Sequence, residues 1–223
     1  MNYKQVILDM KCHSFSEANI KAVPVINMNG VRLGKLIPVG PWIVDDIEKV
    51  ELIRAWRQKN MRMFLNQFES TFDRTLGYLK NLSVAQEGRI FFLIYDVSDI
   101  LVGHMGIADV DGNSGELDNL MRGVEGGDPR LVYFSEISLL DWCFTNLGIN
   151  QSDVRVLSNN WLVLSLHEEI GYSFVSNSPL KKYEKDNVIF HDVVAENESN
   201  VKYGSTKMLL KKDDFYKNAY WLS

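Results

Sequence analysis

The chain has 223 residues, of which 46% are hydrophobic and 24% are charged, a composition typical of a globular domain. This length favours one domain with a core that needs no disulfides or metal ions, which excludes disordered, collagen-like and cysteine-rich classes. The formal net charge of −5 gives no general affinity for nucleic acids or anionic membranes. Composition therefore bounds the class of protein but says nothing about its chemistry.

Targeting signals and several common catalytic signatures are missing. The N-terminal residues show no basic segment followed by an apolar one, and no uninterrupted apolar run is long enough for a membrane span, so we expect a cytoplasmic protein. Cys12 and Cys143 imply no disulfide framework, and the scattered histidines lack metal-ligand spacing, so no metal is expected. P-loop, dinucleotide-binding, zinc-protease and serine-hydrolase motifs are also absent.

Strands and helices alternate along the chain. Alternating or continuous apolar residues predict strands over 5–10, 31–39, 89–96, 100–110, 115–121, 154–158, 172–175, 188–194 and 207–210. Helical spacing predicts helices after Asp46, over about 70–82, from Pro129 to Gly148 and from Asn160 to Gly171, with a shorter one near residue 64. The turn at residues 111–113 joins two of the strands as a hairpin. This order predicts an α/β fold with a mixed sheet, and no linker demands a second domain.

A glycine-rich loop, residues 122–129, leads from the hairpin into the long helix. Gly123, Gly126 and Gly127 let backbone amides approach a ligand closely, and the helix N-terminus adds positive potential. A phosphate or pyrophosphate suits such a loop. A turn that needs positive φ and binds nothing explains the same glycines.

The order of elements and several short motifs together resemble the GCN5-related N-acetyltransferase (GNAT) superfamily. The motifs are 53–58 (IRAWRQ), 116–123 (ELDNLMRG), 140–144 (LDWCF), 156–160 (VLSNN) and 166–172 (LHEEIGY). The resemblance covers about residues 31–210. It implies a single GNAT-like α/β domain over 29–223, with helices flanking a mixed central sheet, after a leader over 1–28 that holds one extra strand. Within the superfamily, the chain looks most like acetyltransferases of nucleotide-linked amino-sugars in surface-polysaccharide synthesis.

The resemblance implies acetyl-coenzyme A as co-substrate, bound where two central parallel strands splay apart. The loop amides would bind its pyrophosphate, and the strand over 116–121 would bind the pantetheine arm and polarise the thioester carbonyl. The implied contacts are Met121, Arg122, Gly123, Gly126, Gly127, Arg130, Leu131, Val132 and Asn160, the last of which also suits a helix cap. Glu125 replaces the first glycine of the usual loop motif, and the loop is longer than usual.

The reaction implied is direct attack of an amine on the thioester, which needs a general base and a general acid. His167 lies seven residues after Asn160, where many members of the superfamily have a tyrosine acid; a packed core histidine is the alternative. The candidates for the base are His104, Asp118 and Asn119, the last acting through a water, and a structural hydrogen bond is the alternative for each. Alternation along a strand places Asp118 and Asn119 on opposite faces.

The acceptor site of the superfamily is built by the first two helices and a late hairpin. In this chain, Trp56, Arg57 and Asn60 are the implied contacts, with phenylalanines nearby, and this combination suits a sugar, a base and a diphosphate. Core phenylalanines and solvated arginines are the alternative. We expect the acceptor to be a small-molecule amine, a nucleotide-linked amino-sugar. Two alternatives stay open: acetylation of a protein N-terminus, and an acyl-coenzyme A-binding protein without turnover. An acidic open groove would favour the N-terminus and an arginine pair the nucleotide sugar. The oligomeric state, a homo-oligomer included, is open.

Overall fold

The computed structural model describes residues 2–219 and residue 222, and its central feature is one nine-stranded sheet. The strand order is β1-β2-β3-β4-β5-β6-β9-β7-β8, and every neighbouring pair is antiparallel except β5 and β6, which are parallel. The strands are β1 (Val23–Ile26), β2 (Arg32–Pro38), β3 (Ile90–Asp96), β4 (Leu101–Ala108), β5 (Ser114–Arg122), β6 (Gln151–Leu157), β7 (Ser173–Lys185), β8 (Val188–Val193) and β9 (Gly204–Lys211). The helices are α1 (Tyr3–Met10), α2 (Phe15–Ile20), α3 (Ile47–Lys59), α4 (Phe72–Tyr78), α5 (Leu131–Trp142), α6 (Trp161–Ile170) and α7 (Lys212–Asn218). The predicted α/β fold with a mixed sheet is confirmed.

The sheet separates two apolar layers. Strand β3 is buried along its whole length, and its side chains alternate between the layers because successive residues of a strand point to opposite faces. Phe92 and Ile94 belong to the layer that α5 covers, whereas Phe91 and Leu93 belong to the layer that α3 and α4 cover.

The first residues of the chain pack into this same core. The strand predicted over 5–10 is wrong, because the segment forms α1, with Ile7 fully buried against the α5 layer. A strand does occur before residue 29, but it is β1, which pairs with β2 and extends the sheet. The Lys11 ammonium group donates to the carbonyls of Val84 and Gln86, at 2.9 and 2.6 Å, and ties this segment to the region after α4.

Some helix boundaries follow capping residues in the sequence. Asp46 starts α3, where its Oδ1 accepts the Lys49 amide at 3.1 Å, and α4 continues into a π-helical turn up to residue 84. A π-helical turn also extends α5 to Gly148, and α6 ends at Gly171; both glycines have positive φ, 69° and 114°. The predicted helix near residue 64 is a single 3₁₀ turn, Met61–Met63.

The tail completes the sheet around the site. The predicted hairpin of β4 and β5 is confirmed, and β7 is longer than the sequence predicts, since it continues past β9 into a hairpin with β8. Residue Ile189 of β8 bridges to Gln67 and so brings this hairpin to the segment between α3 and α4. None of the helices in the described ranges is long and apolar enough to cross a membrane.

Candidate active site

The two parallel strands stay together for only three residue pairs. Residues 114–116 of β5 pair with 151–153 of β6, and beyond them the strands diverge. A cavity of about 970 Å³ lies along the divergence, with walls from residues 116–122, 154–157 and the inner face of α6. Among the described residues, β5 has no β6 partner past Glu116, so this part of its edge has no neighbouring strand on the cavity side.

Six of the nine predicted cofactor contacts are placed at this cavity or at the helix start beside it. Met121, Arg122, Arg130, Val132 and Asn160 line the cavity, whereas Leu131 is fully buried in the core. The backbone of Asn160 occupies the cap position of α6, but its side chain makes no capping hydrogen bond. The predicted side-chain cap is therefore absent, and the Asn160 amide group is left without that partner.

The loop between β5 and α5 is held by its own arginine. The Arg122 guanidinium donates to the carbonyls of Val124, Gly126 and Pro129, so it shapes the loop from within. Gly126 and Gly127 have φ of 140° and 64°, and a Cβ on Gly127 would meet Asp96 at 3.0 Å. Positive φ thus accounts for both glycines, and close packing against Asp96 adds to it at Gly127 alone.

Backbone amides at the start of α5 are free. Those of Val132 and Tyr133 have no acceptor among the described residues, as expected for the first turn of a helix. Arg130 stands beside them, half-exposed, stacked at 4.1 Å on the Tyr133 ring and paired with Glu169 of α6. This end of the cavity therefore combines amides and a guanidinium, which suits an anion.

Gly123 and Trp56 pack against each other. The Gly123 amide donates to the Val102 carbonyl at 2.8 Å, and a Cβ there would lie 2.0 Å from the indole ring of Trp56. Trp56 is buried. It lines neither this cavity nor the second one, which lies on the α3 and α4 side of the sheet. The structure therefore joins a predicted cofactor residue to a predicted substrate residue through packing, and their contacts with ligands stay predictions.

Asp118 and Asn119 lie at a bulge in β5. Asn119 has a φ of 55°, and the pairing with β4 shifts register at this point. The Asn119 amide donates to the Tyr78 hydroxyl at 2.7 Å, while Asp118 pairs with Arg89, which also contacts that hydroxyl. The expectation that these side chains point to opposite faces is therefore wrong, because the positive φ interrupts the alternation. Burial and the Asp118 charge raise the pKa of Tyr78 to about 12 and keep the phenol protonated.

His104 is buried beside this bulge. Its Nδ1 lies 2.7 Å from the Asn119 carbonyl, which can only accept, so Nδ1 carries the hydrogen. Burial lowers the pKa of His104 to about 4, with a further lowering by Arg57 and an opposing effect of the Asn119 carbonyl. The ring is neutral at pH 7, and its Nε2 is a lone pair without a partner among the described residues.

A second cavity of about 620 Å³ lies on the α3 and α4 side and is lined in part by His104. It adjoins the first, since Asn119 and Met121 line both. Residues of α3 and α4 form its walls, with Val188 at the start of β8, and of the three predicted acceptor contacts it is lined by Arg57. Asn60, a predicted substrate residue, lines the first cavity and donates to the Trp56 carbonyl at 2.9 Å.

Arginines and aromatic rings dominate the second cavity. The Arg57 guanidinium lies 4.0 Å from the Phe64 ring centre and 5.0 Å from that of Phe68, and Arg74 lies over Phe68. Burial lowers the pKa of Arg57, against the raising effect of Tyr78 and Asp118, and its Nε has no partner among the described residues. No aspartate or glutamate of the described chain lines this cavity.

His167 is also buried, in the inner face of α6. It lines the first cavity, and its Nδ1 lies 2.8 Å from Oε1 of Glu136 on α5. The pair was missed in the sequence because its members are 31 residues apart on two helices. Only the apolar surroundings of Glu136 in its helix, LVYFSEISLL, signal that this carboxylate is buried.

Comparison with known proteins gives structural matches alone. No family model and no curated protein sequence matches the chain. The chain is similar to a solved structure described as FdhC, a nucleotide-linked sugar GNAT, with 17% identity, 85% of this chain and 93% of that chain covered, and a TM-score of 0.60. It is also similar to a probable GNAT-family acetyltransferase from Chromobacterium violaceum, with 15% identity, coverage of 91% and 88%, and a TM-score of 0.61.

A third similar structure contains mutant forms of the spermidine/spermine N-acetyltransferase SpeG from Vibrio cholerae. The identity is 13%, the coverage is 84% of this chain and 98% of that chain, and the TM-score is 0.60. These likenesses establish that the chain has the GNAT fold, which confirms the predicted fold class. At such identities the fold does not choose between acceptors.

Proposed function

We propose that the chain is an N-acetyltransferase that transfers an acetyl group from acetyl-coenzyme A to the amine of a nucleotide-linked amino-sugar by direct attack in a ternary complex. The observation that carries this proposal is the pair of adjoining cavities, one along the splayed strands and one lined by arginines and aromatic rings. His104 is one of the residues that line the second cavity, and its Nε2 has no hydrogen-bond partner among the described residues. The GNAT fold supports acetyl transfer, whereas the choice of acceptor rests on the residues of this chain.

Acetyl-coenzyme A is a substrate of this reaction, and the first cavity has groups that fit it. The free amides of Val132 and Tyr133, together with Arg130, suit the pyrophosphate. The unpaired edge of β5 suits the amide groups of the pantetheine arm, and an amide of the same edge would polarise the thioester carbonyl. Asn160, with its side chain free of a capping bond, is a further donor to this substrate.

His104 is the general base in this proposal. Its fixed tautomer leaves Nε2 as an acceptor, and the ring is neutral at pH 7, so Nε2 can take a proton from the attacking ammonium group, as a weak base at its pKa of about 4. Asp118 and Asn119 fit this role less well, because Arg89 pairs with the carboxylate and the Tyr78 hydroxyl occupies the amide. His104 accepts one proton of the ammonium group, the nitrogen bonds to the acetyl carbon, and the carbon–sulfur bond breaks with its electron pair on sulfur. The second proton of the amine balances the thiolate, so coenzyme A leaves as the thiol.

The charges of the second cavity favour an anionic acceptor. Arg57 and Arg74 line it without a carboxylate of the described chain, so a diphosphate there would meet two guanidinium groups. A polyamine would bring several positive charges beside Arg57, and the carboxylates of the adjoining first cavity, Glu116, Asp118 and Glu169, already pair with arginines. The aromatic rings of Phe64 and Phe68 offer stacking surfaces for a base or sugar. An arginine pair of this kind favours the nucleotide sugar over a protein N-terminus.

A screen of acceptors tests the proposal. Release of free thiol from acetyl-coenzyme A is measured with UDP- and dTDP-linked amino-sugars, spermidine and N-terminal peptides. We expect stimulation by a nucleotide-linked amino-sugar alone. Stimulation by spermidine or peptides alone would contradict the acceptor, and tight coenzyme A binding without turnover on any amine would leave the non-catalytic alternative.

Matched arginine variants locate the acceptor. Arg57→Gln should raise the KM for the nucleotide sugar by about 10-fold or more, since charge-assisted hydrogen bonds contribute about 1.5–3 kcal/mol. Because Arg57 also lines the first cavity, the KM for acetyl-coenzyme A is measured as well, and it should rise less than the KM for the nucleotide sugar. Arg62→Gln is the control, because Arg62 is exposed and lines neither cavity. Equal effects of the two substitutions would place the acceptor elsewhere.

A further inference from the structure

One face of α4, continued by the π-helical turn Leu79–Val84, lines the second cavity. The spacing of the lining residues, i, i+1, i+3, i+4, i+7 and i+8, is that of a single helix face. The opposite face packs into the core through Leu76 and the fully buried Leu79. Gly77 therefore lies in the middle of a helical wall. The residues of this wall are Arg74, Thr75, Gly77, Tyr78, Asn81 and Leu82.

Nothing in the fold of the described residues requires a glycine at position 77. The φ of Gly77 is not positive, so no left-handed backbone calls for glycine. Apart from its chain neighbours and the backbone of its own helix, one heavy atom of the described chain lies within 4 Å of a Cβ built there, Nδ2 of Asn81 at 4.0 Å. A glycine inside a helix lowers stability relative to alanine. The chain thus has a destabilising residue where the fold leaves room for a side chain.

The open space at Gly77 belongs to the second cavity and not to the first. Asn81, one turn further along, is exposed and flanks this space, and its amide group can both donate and accept hydrogen bonds. We call the space between Gly77 and Asn81 the α4 notch. The π-helical turn begins between the two residues, and such turns are frequent at functional sites. The notch therefore has the features of a place where a ligand approaches a helix closely.

Guanidinium groups lie near one end of the α4 notch. Arg74 precedes Gly77 by three residues, about 4.5 Å along the helix axis. Its guanidinium lies 5.2 Å from the ring centre of Phe68, and that of Arg57 lies 5.0 Å from the same centre. A diphosphate bound by these two arginines would therefore end within about one helical turn of the notch.

Contacts from the next residue lead to the proposed base. Tyr78 follows Gly77 directly, and its hydroxyl accepts from the Asn119 amide at 2.7 Å. The Asn119 carbonyl accepts from Nδ1 of His104, also at 2.7 Å. In a nucleotide-linked amino-sugar, the sugar ring connects the diphosphate to the amine. A substrate that reaches from the two arginines to His104 would therefore place its sugar ring beside Gly77.

We propose that Gly77 and Asn81 are specificity-determining residues that receive the sugar ring of the acceptor. The ring lies in van der Waals contact with the backbone at Gly77, and the Asn81 amide group forms a hydrogen bond with a ring hydroxyl. This inference rests on the proposed function. The missing side chain at Gly77 makes room for the ring, so a larger residue there competes with the substrate and not with the fold.

A size series at position 77 tests the notch through thiol release. Gly77→Ala should raise the KM for the nucleotide-linked amino-sugar about 10-fold, and Gly77→Leu should raise it further, because each added methylene takes space from the ring. Asn81→Ala should raise this KM about 2- to 10-fold, the range of one hydrogen bond. The KM for acetyl-coenzyme A should stay within about twofold, since neither residue lines the first cavity. Lys80→Ala is the control with unchanged KM values, because Lys80 is exposed and lines neither cavity.

Urea unfolding separates the notch from a structural role of Gly77. Gly77→Ala should be at least as stable as the unsubstituted protein, so that its raised KM reports the cavity and not the fold. A less stable Gly77→Ala would show that packing explains the glycine and would overturn the inference. With turnover by the unsubstituted protein, a KM for the amino-sugar within twofold in both Gly77 variants would overturn the notch and leave the proposed function intact. No thiol release by the unsubstituted protein with any nucleotide-linked amino-sugar would overturn both.

Discussion

Acidification should destabilise the protein through His104. In the folded protein, burial and the nearby Arg57 charge lower the pKa of this ring from 6.5 to about 4. The unfolded chain therefore binds a proton at pH values where the folded protein does not. Because a depressed histidine pKa favours unfolding as the pH falls, the loss begins near pH 6.5 and is complete near pH 4.

The size of the effect follows from the two pKa values. One pKa unit corresponds to about 1.4 kcal/mol, so the complete loss is about 3 kcal/mol. Between pH 7.5 and pH 5.5, linkage gives a decrease of about 1.3 kcal/mol in the free energy of unfolding from this residue. That is large beside the total stability of about 5–15 kcal/mol that a domain has.

Urea unfolding at these two pH values measures the decrease. His104→Gln keeps a donor for the Asn119 carbonyl but does not titrate, so its free energy of unfolding should fall by about 1.3 kcal/mol less than that of the unsubstituted protein. His13→Gln, at an exposed position, should behave like the unsubstituted protein. Equal pH dependence in His104→Gln and the unsubstituted protein would refute the assignment of a low pKa to His104.

Two further predictions concern the packing around the site. Gly123→Ala should lower the free energy of unfolding by about 1–3 kcal/mol, because its Cβ would overlap the Trp56 ring. Gly77→Ala in α4, whose Cβ would make only an ordinary contact with Asn81 at 4.0 Å, should raise it by up to about 1 kcal/mol. Tyr78→Phe should cost about 1–3 kcal/mol by leaving the Asn119 amide without its acceptor. Urea unfolding at pH 7.5 measures all three, and a neutral Gly123→Ala or Tyr78→Phe would contradict the corresponding contact.

The elements of the core were predictable because their signals are local. The buried run of β3, the turn between β4 and β5, and the capping residue Asp46 each act within a few residues, and each was predicted where it occurs. The failure at α1 has a physical reason as well. The apolar residues Val6, Ile7 and Met10 of this short segment fit both the two-residue period of a strand and the 3.6-residue period of a helix. Only packing against the core selects the helix.

The site was less predictable because its contacts are distant along the chain. Asn119 carried a local signal, since asparagine is enriched at positive φ, but nothing nearby marks the bulge. Tyr78 and Arg89, which contact the bulge, lie outside β5. Glu136, which contacts His167, lies on another helix. Spacing rules find residues on one helix or strand, whereas these groups meet only after the sheet and helices have packed.

The electrostatics of the second cavity connect acceptor binding to the base. Arg57 is one cause of the low pKa of His104, and in the proposed complex a diphosphate would neutralise this guanidinium. Removing that repulsion would raise the pKa of His104 by less than burial lowers it, because burial is the larger cause, so the ring would become a somewhat stronger base when the acceptor is present. A neutral or cationic amine would leave the Arg57 charge unbalanced and the base weak. Selection of an anionic acceptor and activation of His104 would then both arise from the charge of Arg57. The net charge of the whole chain, −5, would not attract an anion by itself.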